Sequence, residues 1–161
     1  NERKGAEAVS GREIKGTVHA VCLSETKGVQ KTPCEEVTLV VGHGLEGDAH
    51  AGKWHRQVSL LSTKSIKFMK DRGADVDRGS FGENIVVEGI EVHELPIGTT
   101  LRIGEEVVLK VTQIGKECHT MCAIGKAVGD CIMPRRGIFC EVIVGGKVRP
   151  GQTIEVVDEP Q

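Results

Sequence analysis

Aromatic side chains are scarce in this chain of 161 residues: there is no tyrosine, one tryptophan (Trp54) and three phenylalanines (Phe68, Phe81, Phe139). A core so poor in rings has to be filled by Val, Ile and Leu, and branched side chains suit a pleated sheet better than a helix. Long apolar runs are absent too; none approaches the roughly 18 residues of a membrane-spanning helix. Neither sign of charge is in large excess, the formal net charge being -2. Nothing therefore draws the whole molecule to nucleic acid or to an anionic membrane, and any anion binding must be local. The opening N-E-R-K-G-A-E-A-V-S-G has no apolar core of the kind a secretory signal needs. The expectation is a cytoplasmic protein whose six cysteines are reduced. In that setting clustered thiols mark metal binding or catalysis rather than a disulfide framework.

What is abundant is glycine, with 21 residues, spread so that turn signals recur between short β-branched segments. This pattern predicts a mainly β fold, a closed or nearly closed β-barrel with a few short helices. The charged, aperiodic residues 1–13 read as a flexible terminus, 14–157 as one domain and 158–161 as a tail. Strands are expected at 18–23, 36–41, 58–61, 99–103, 107–114, 138–144 and 153–157. The sequence suggests that 99–103 and 107–114 form a hairpin through Gly104, and that 138–144 pairs with 153–157 after a Gly145-Gly146 turn. Residues 62–72 are the best helix, with Ser62 as cap, Ile66 and Met69 at i and i+3, and Gly73 as the stop.

The stretch richest in chemistry is G-K-E-C-H-T-M-C-A-I-G-K-A-V-G-D-C-I-M-P-R-R-G-I-F, residues 115–139. It gathers Cys118, Cys122, Cys131 and His119 among Lys116, Lys126, Arg135 and Arg136. Positive charge lowers a thiol's pKa, and the thiolate is the form that attacks sulfur or binds a soft metal. The C-x3-C and C-x8-C spacings do not match the C-x2-C pairs of structural zinc sites. Cys22 and Cys140, in or beside predicted strands, read as core filler; Cys34, next to Pro33 in the polar loop 27–34, is open to either reading.

A second stretch, G-H-G-L-E-G-D-A-H-A-G-K-W-H-R (42–56), combines glycines that permit close backbone approach with acid, imidazole and guanidinium groups. Gly47, Asp48, His50, His55 and Arg56 are its candidate ligand contacts, the alternative being a surface loop held by its own hydrogen bonds. In F-G-E-N (81–84), Glu83 and Asn84 are expected either to orient that loop or to touch a ligand, or Asn84 to serve as a turn residue. Lys27, Lys31, Lys116, Arg135 and Arg136 are candidates for an anion pocket if the fold brings them together.

Taken in order, these pieces resemble the MOSC domain, the module at the C-terminus of molybdenum-cofactor sulfurases and of small stand-alone bacterial proteins. The resemblance rests on G-L-E-G-D-A-H-A-G-K-W-H-R-Q-V-S-L-L (44–61), F-G-E-N-I (81–85) and L-P-I-G-T-T-L-R-I-G (95–104). V-T-Q-I-G-K-E-C-H-T-M-C (111–122) and G-I-F-C-E-V-I-V-G-G-K-V-R-P-G-Q (137–152) complete it. It implies a β-rich barrel that binds molybdenum cofactor (molybdopterin) or carries sulfane sulfur as a cysteine persulfide. Cys118, with Cys122 as the competing position, would be the functional thiol and the molybdenum ligand, and His119 its neighbour in catalysis. Lys31, Gly47, Asp48, His50, His55, Arg56, Glu83, Asn84, Lys116 and Arg136 would then contact the cofactor. No bound pyridoxal phosphate is expected, so a separate cysteine desulfurase would supply sulfur, and a molybdoenzyme or cofactor-synthesis protein would receive it. Two other classes remain open: a cysteine-ligated metal-binding domain without turnover, and a molybdenum-dependent reductase of N-hydroxylated compounds.

Overall fold

The computed structural model describes residues 14–27, 30–115 and 136–160. Among the described residues the elements run β1 (Lys15–Leu23), β2 (Thr32–Cys34), β3 (Val37–Val40), β4 (Gly44–Leu45), β5 (Val58–Ser62), the helix α1 (Thr63–Asp71), β6 (Ile85–Glu88), β7 (Thr100–Ile103), β8 (Val107–Ile114), β9 (Ile138–Val144), β10 (Gly146–Val148) and β11 (Thr153–Asp158). A single 3-10 turn at Val92–Glu94 lies between β6 and β7.

The strands run β11-β7-β8-β9-β5-β6-β1, and β1 pairs back onto β11, closing a barrel of seven strands to which β2 adds as an outer flap. Closure is antiparallel, with Lys15 opposite Glu155 and Thr17 opposite Thr153. The one parallel pairing among these strands, β5 with β6, is the one whose connection contains α1, as a parallel crossover requires. A small sheet, β10-β3-β4, covers part of the barrel.

Two apolar clusters result. Val18, Val21, Leu60, Ile85, Val87, Leu109, Ile138 and Ile154 belong to the main cluster, whereas Ala20, Cys22, Leu61, Val86 and Phe139 face Ile66 and Met69 of α1. Strand β5, Ile85–Val87 of β6 and Ala20–Cys22 of β1 are thus buried on both faces, which is why Ile85–Val87 reads as a continuous apolar run rather than an alternating one. A register shift between Val18 and Ala20 lets β1 place both Val18 and Val21 in the main cluster.

The helix forms where the capping signals put it. Ser62 has an extended backbone and its hydroxyl accepts from the Ser65 amide at 3.1 Å, and Gly73 follows the C-cap residue Arg72. Replacing Ser62 by alanine is expected to cost about 1 kcal/mol, read as a lowered denaturation midpoint with an unchanged slope. The hairpin through Gly104 also forms, with Ile103 opposite Val107.

One expected pairing does not. Strand β9 pairs with β8 and β5, and β11 with β7 and β1, so the two are not partners. The Gly145-Gly146 step instead feeds β10, which lies against β3. Cys34 lies in β2, not in a loop. The described residues contain no helix long and apolar enough to cross a membrane.

Candidate functional site

The loop between β4 and β5 is organised around Asp48. Gly47 turns the chain with φ of +84°, a conformation that strains residues bearing a Cβ, and the next residue points its carboxylate inward. Oδ1 of Asp48 accepts from the Lys31 ammonium at 2.8 Å and from the Ser24 amide at 3.1 Å, and Oδ2 accepts from the His50 amide at 3.1 Å. Burial alone would raise the Asp48 pKa, but the Lys31 contact and the two backbone donors outweigh it and hold the carboxyl below its usual range.

Lys31, a candidate for an anion pocket, is one of the most enclosed polar groups described, with its side chain 1% exposed and that of Asp48 0%. Its Nζ also lies 3.0 Å from Nδ1 of His50. The half-buried His50 has its main chain fixed from the other side, where the Trp54 indole donates to its carbonyl at 2.8 Å.

The end of the same loop meets strand β8. Nε2 of Gln113 donates to the Gly115 carbonyl at 2.6 Å, which orients the amide and turns Oε1 toward the loop. There it accepts from Arg56 Nε at 3.0 Å and lies 2.7 Å from His55 Nε2. An amide oxygen only accepts, so His55 Nε2 carries the proton and Nδ1 is its accepting nitrogen when the ring is neutral. The Arg56 guanidinium lies over Trp54 at 5.7 Å and Phe139 at 5.4 Å, within range of cation–π attraction. Thr112 donates to the His55 carbonyl. The Gly115 amide donates to the Gly137 carbonyl at 2.6 Å, which brings these two glycines together beside the Gln113 group.

Glu83 and Asn84 are buried and hydrogen-bonded to backbone. Glu83, fully buried, accepts from the Gly79 amide at 2.8 Å and the Phe81 amide at 3.0 Å. Burial raises its carboxyl to about 7, against the pull of those two donors and of Lys31. The Gly79 carbonyl in turn accepts from the Lys31 amide at 2.8 Å. A Cβ on Gly79 would lie 2.0 Å from the Lys31 carbonyl oxygen, so only glycine allows this approach. Asn84 ties three strands together, accepting from the Ser59 amide at 3.0 Å and donating to the Cys22 carbonyl at 3.1 Å. The F-G-E-N motif therefore supports the backbone beneath Lys31.

Of the remaining expected residues, Arg136 rests on the Phe68 ring of α1 at 4.3 Å, with Arg72 on the same ring at 4.5 Å. Lys116, Cys118, His119, Cys122 and Cys131 lie outside the described residues. Cys22 and Cys140 are core residues: burial, with the Glu83 charge adding to it, pushes the Cys22 thiol to about 12, and burial alone pushes Cys140 up. No group of three or more His, Cys, Asp or Glu among the described residues is arranged to hold a metal ion. Gln57, Thr112 and Gln113 were not anticipated, since neutral polar residues in or next to a strand carry no distinguishing signal. Gln57, 3% exposed, accepts from the Val142 amide at 2.9 Å and fixes the loop's end to β9.

The family model for the MOSC domain matches residues 47–155. The chain belongs to the MOSC domain family. That family is associated with molybdenum cofactor, and its matched span takes in both the Asp48 loop and the Gln113 group. The chain is also similar to YflK of Bacillus subtilis, at 23% identity across 81% of this chain and 63% of that protein. It thus spans less than two thirds of that relative's length. Among solved structures it is similar to the YUAD protein from Bacillus subtilis, with a TM-score of 0.77 at 19% identity, covering 93% of this chain and 99% of that one. YiiM from Geobacillus stearothermophilus aligns with a TM-score of 0.65 at 16% identity, over 89% of this chain and 75% of its own. These likenesses establish the MOSC barrel.

Proposed function

We propose that this MOSC domain binds molybdenum cofactor, carries sulfane sulfur as a cysteine persulfide for a metal–sulfur centre, or does both, with Cys118 or Cys122 as the working thiol. The observation that carries the reading is the Gln113 group: a guanidinium and an imidazole fixed at the point where the cysteine-bearing segment joins the barrel. The donor set fits an anionic, planar heterocyclic ligand. Arg56 supplies fixed positive charge, Trp54 is 41% exposed and offers a ring face, and the loop contributes imidazole nitrogens. Arg56, His55 and His50 would hold the cofactor; when bound, it supplies the metal–sulfur chemistry.

The chain's own part is nucleophilic. A Cys118 or Cys122 thiolate attacks the outer sulfur of a donor persulfide, a sulfur–sulfur bond forms on the attacking cysteine, and the donor leaves as its thiolate. A cysteine desulfurase would supply that persulfide, and a molybdoenzyme or cofactor-synthesis protein would receive the sulfur.

Incubating the protein with a cysteine desulfurase and cysteine should add the mass of one sulfur to Cys118 or Cys122, and Cys118→Ser should abolish the increment without changing the fold. Normal loading of that variant transfers the role to Cys122. If the protein, made in a cofactor-competent host, gains neither sulfur nor co-purified molybdenum and molybdopterin, the proposal fails. Stoichiometric zinc in their place would mark a metal-binding domain without turnover.

A further inference from the structure

The Gln113 amide has only one orientation open to it. Its Oε1 accepts from Arg56 Nε at 3.0 Å, and its Nε2 donates to the Gly115 carbonyl at 2.6 Å. A guanidinium only donates and a carbonyl only accepts. With oxygen and nitrogen exchanged, two donors would meet at Arg56 and two acceptors at Gly115. Oε1 therefore stays an acceptor toward His55, whose Nε2 lies 2.7 Å away. That nitrogen keeps its proton whatever the charge of the ring, so Nδ1 is the atom that gains or loses one. Among the described residues, no hydrogen bond or ion pair reaches Nδ1.

The ring is also held in place. Thr112 donates to the His55 carbonyl, and the Trp54 ring meets the imidazole edge-on, with centroids 6.1 Å apart. Arg56 is restricted in a complementary way. Its Nε is engaged by Gln113, which leaves the two terminal nitrogens as donors, and its guanidinium rests over Trp54 and Phe139. One amide oxygen thus fixes both an accepting nitrogen and a charged donor edge.

We propose that Gln113 is a positioning residue that makes His55 Nδ1 the acceptor for a ring N–H of a heterocyclic ligand, while the Arg56 terminal nitrogens take a carbonyl or anionic oxygen of that ligand. The proposal rests on the reading of this group as the ligand site and adds the chemical feature that the site selects. A heterocycle with a lactam N–H beside its carbonyl, as a pterin has, meets both demands. One methylated at that nitrogen meets only the second, and leaves the imidazole acceptor unpaired. Without the Gln113 oxygen the ring proton is free to sit on either nitrogen, and the distinction is lost.

Nitrogen NMR on the ligand-free protein tests the first half and involves neither cofactor nor sulfur. His55 should show a protonated Nε2 from about pH 8 to about pH 6, the range in which ordinary histidines titrate, with every change of protonation at Nδ1. Its Nε2 proton should give a visible signal, which exposed imidazoles lose to rapid exchange with water. Gln113→Leu should erase that signal, whereas Thr112→Val, which removes a contact to the His55 main chain, should keep it. A neutral ring protonated on Nδ1, a signal that survives Gln113→Leu, or one that vanishes equally in Thr112→Val overturns the proposal. Trp54 is the only tryptophan, so quenching of its emission reads the second half, near neutral pH, with pterin and its N3-methyl derivative as probes. Pterin should bind about tenfold more tightly, the size of one hydrogen bond, and His55→Phe should bind the two alike. Absent pterin binding, equal affinities in the wild type, or undiminished preference in His55→Phe overturns it. The wild-type readings keep the proposal decidable if a variant does not fold. Persulfide loading is a separate measurement, so failure here and failure of the proposed function are told apart.

Discussion

Asp48→Ala should cost about 3–5 kcal/mol of stability, the typical penalty for breaking a buried ion pair by removing one partner. The size follows from what remains behind. Among the described residues the Lys31 ammonium would keep the His50 ring as its hydrogen-bond partner, and the Ser24 and His50 amides would lose their acceptor. Chemical denaturation should show the midpoint falling without a change in slope. Lys31→Met/Asp48→Asn should be less damaging than the single change, because neither charge is then stranded. Equal losses in the single and double variants would mean that the pair is solvated in solution.

Glu83 should make the fold less stable as the solution approaches neutrality. Its folded pKa lies near 7, above the ordinary 4.5. The folded state therefore holds the proton more tightly than the unfolded chain does. The resulting stabilisation is complete below 4.5 and is lost as pH rises to about 7. A shift of that size corresponds to about 3 kcal/mol. Asp48 acts with the opposite sign in a more acidic window: its pKa is lowered from 3.8, so its contribution is present above that value and lost as pH falls through the folded pKa. These two groups together place greatest stability on the acid side of neutrality. Denaturation midpoints measured from pH 4 to 8 should show the decline, and Glu83→Gln should flatten it. A slope that persists in Glu83→Gln would assign it to another group.

How much of this could be read beforehand depended on the range of the interaction concerned. The cap at Ser62, the stop at Gly73 and the Gly104 hairpin are encoded within a few residues, and each formed where the local chemistry put it. The apolar run at 58–61 likewise marked a strand, and the structure shows it covered on both faces. The choice of strand partner was not local. Strand β11 bypasses β9 for β7 and β1 because closure of the barrel decides its neighbours. Strands as short as β4 and β10 carry too little pattern to be seen.

The same division holds at the site. The density of His, Asp, Arg and Gly singled out the loop 42–56, and the structure shows Asp48 tying it to Ser24 and Lys31. Lys31 sits in a polar stretch that reads as solvated, and its partner Asp48 is 17 positions away. Only the folded arrangement shows that it is enclosed. The F-G-E-N motif was recognised, but its side chains turn inward to support the backbone under Lys31.

Strand β1 makes pairings of very unequal reach. It joins β2 and β6 within the first part of the chain, yet its start depends on Thr153 to Glu155. Contacts that span so much sequence are slow to form. During synthesis the start of β1 must wait with an open edge until β11 has left the ribosome. That interval is when the nascent protein is most exposed to pairing with a neighbouring chain.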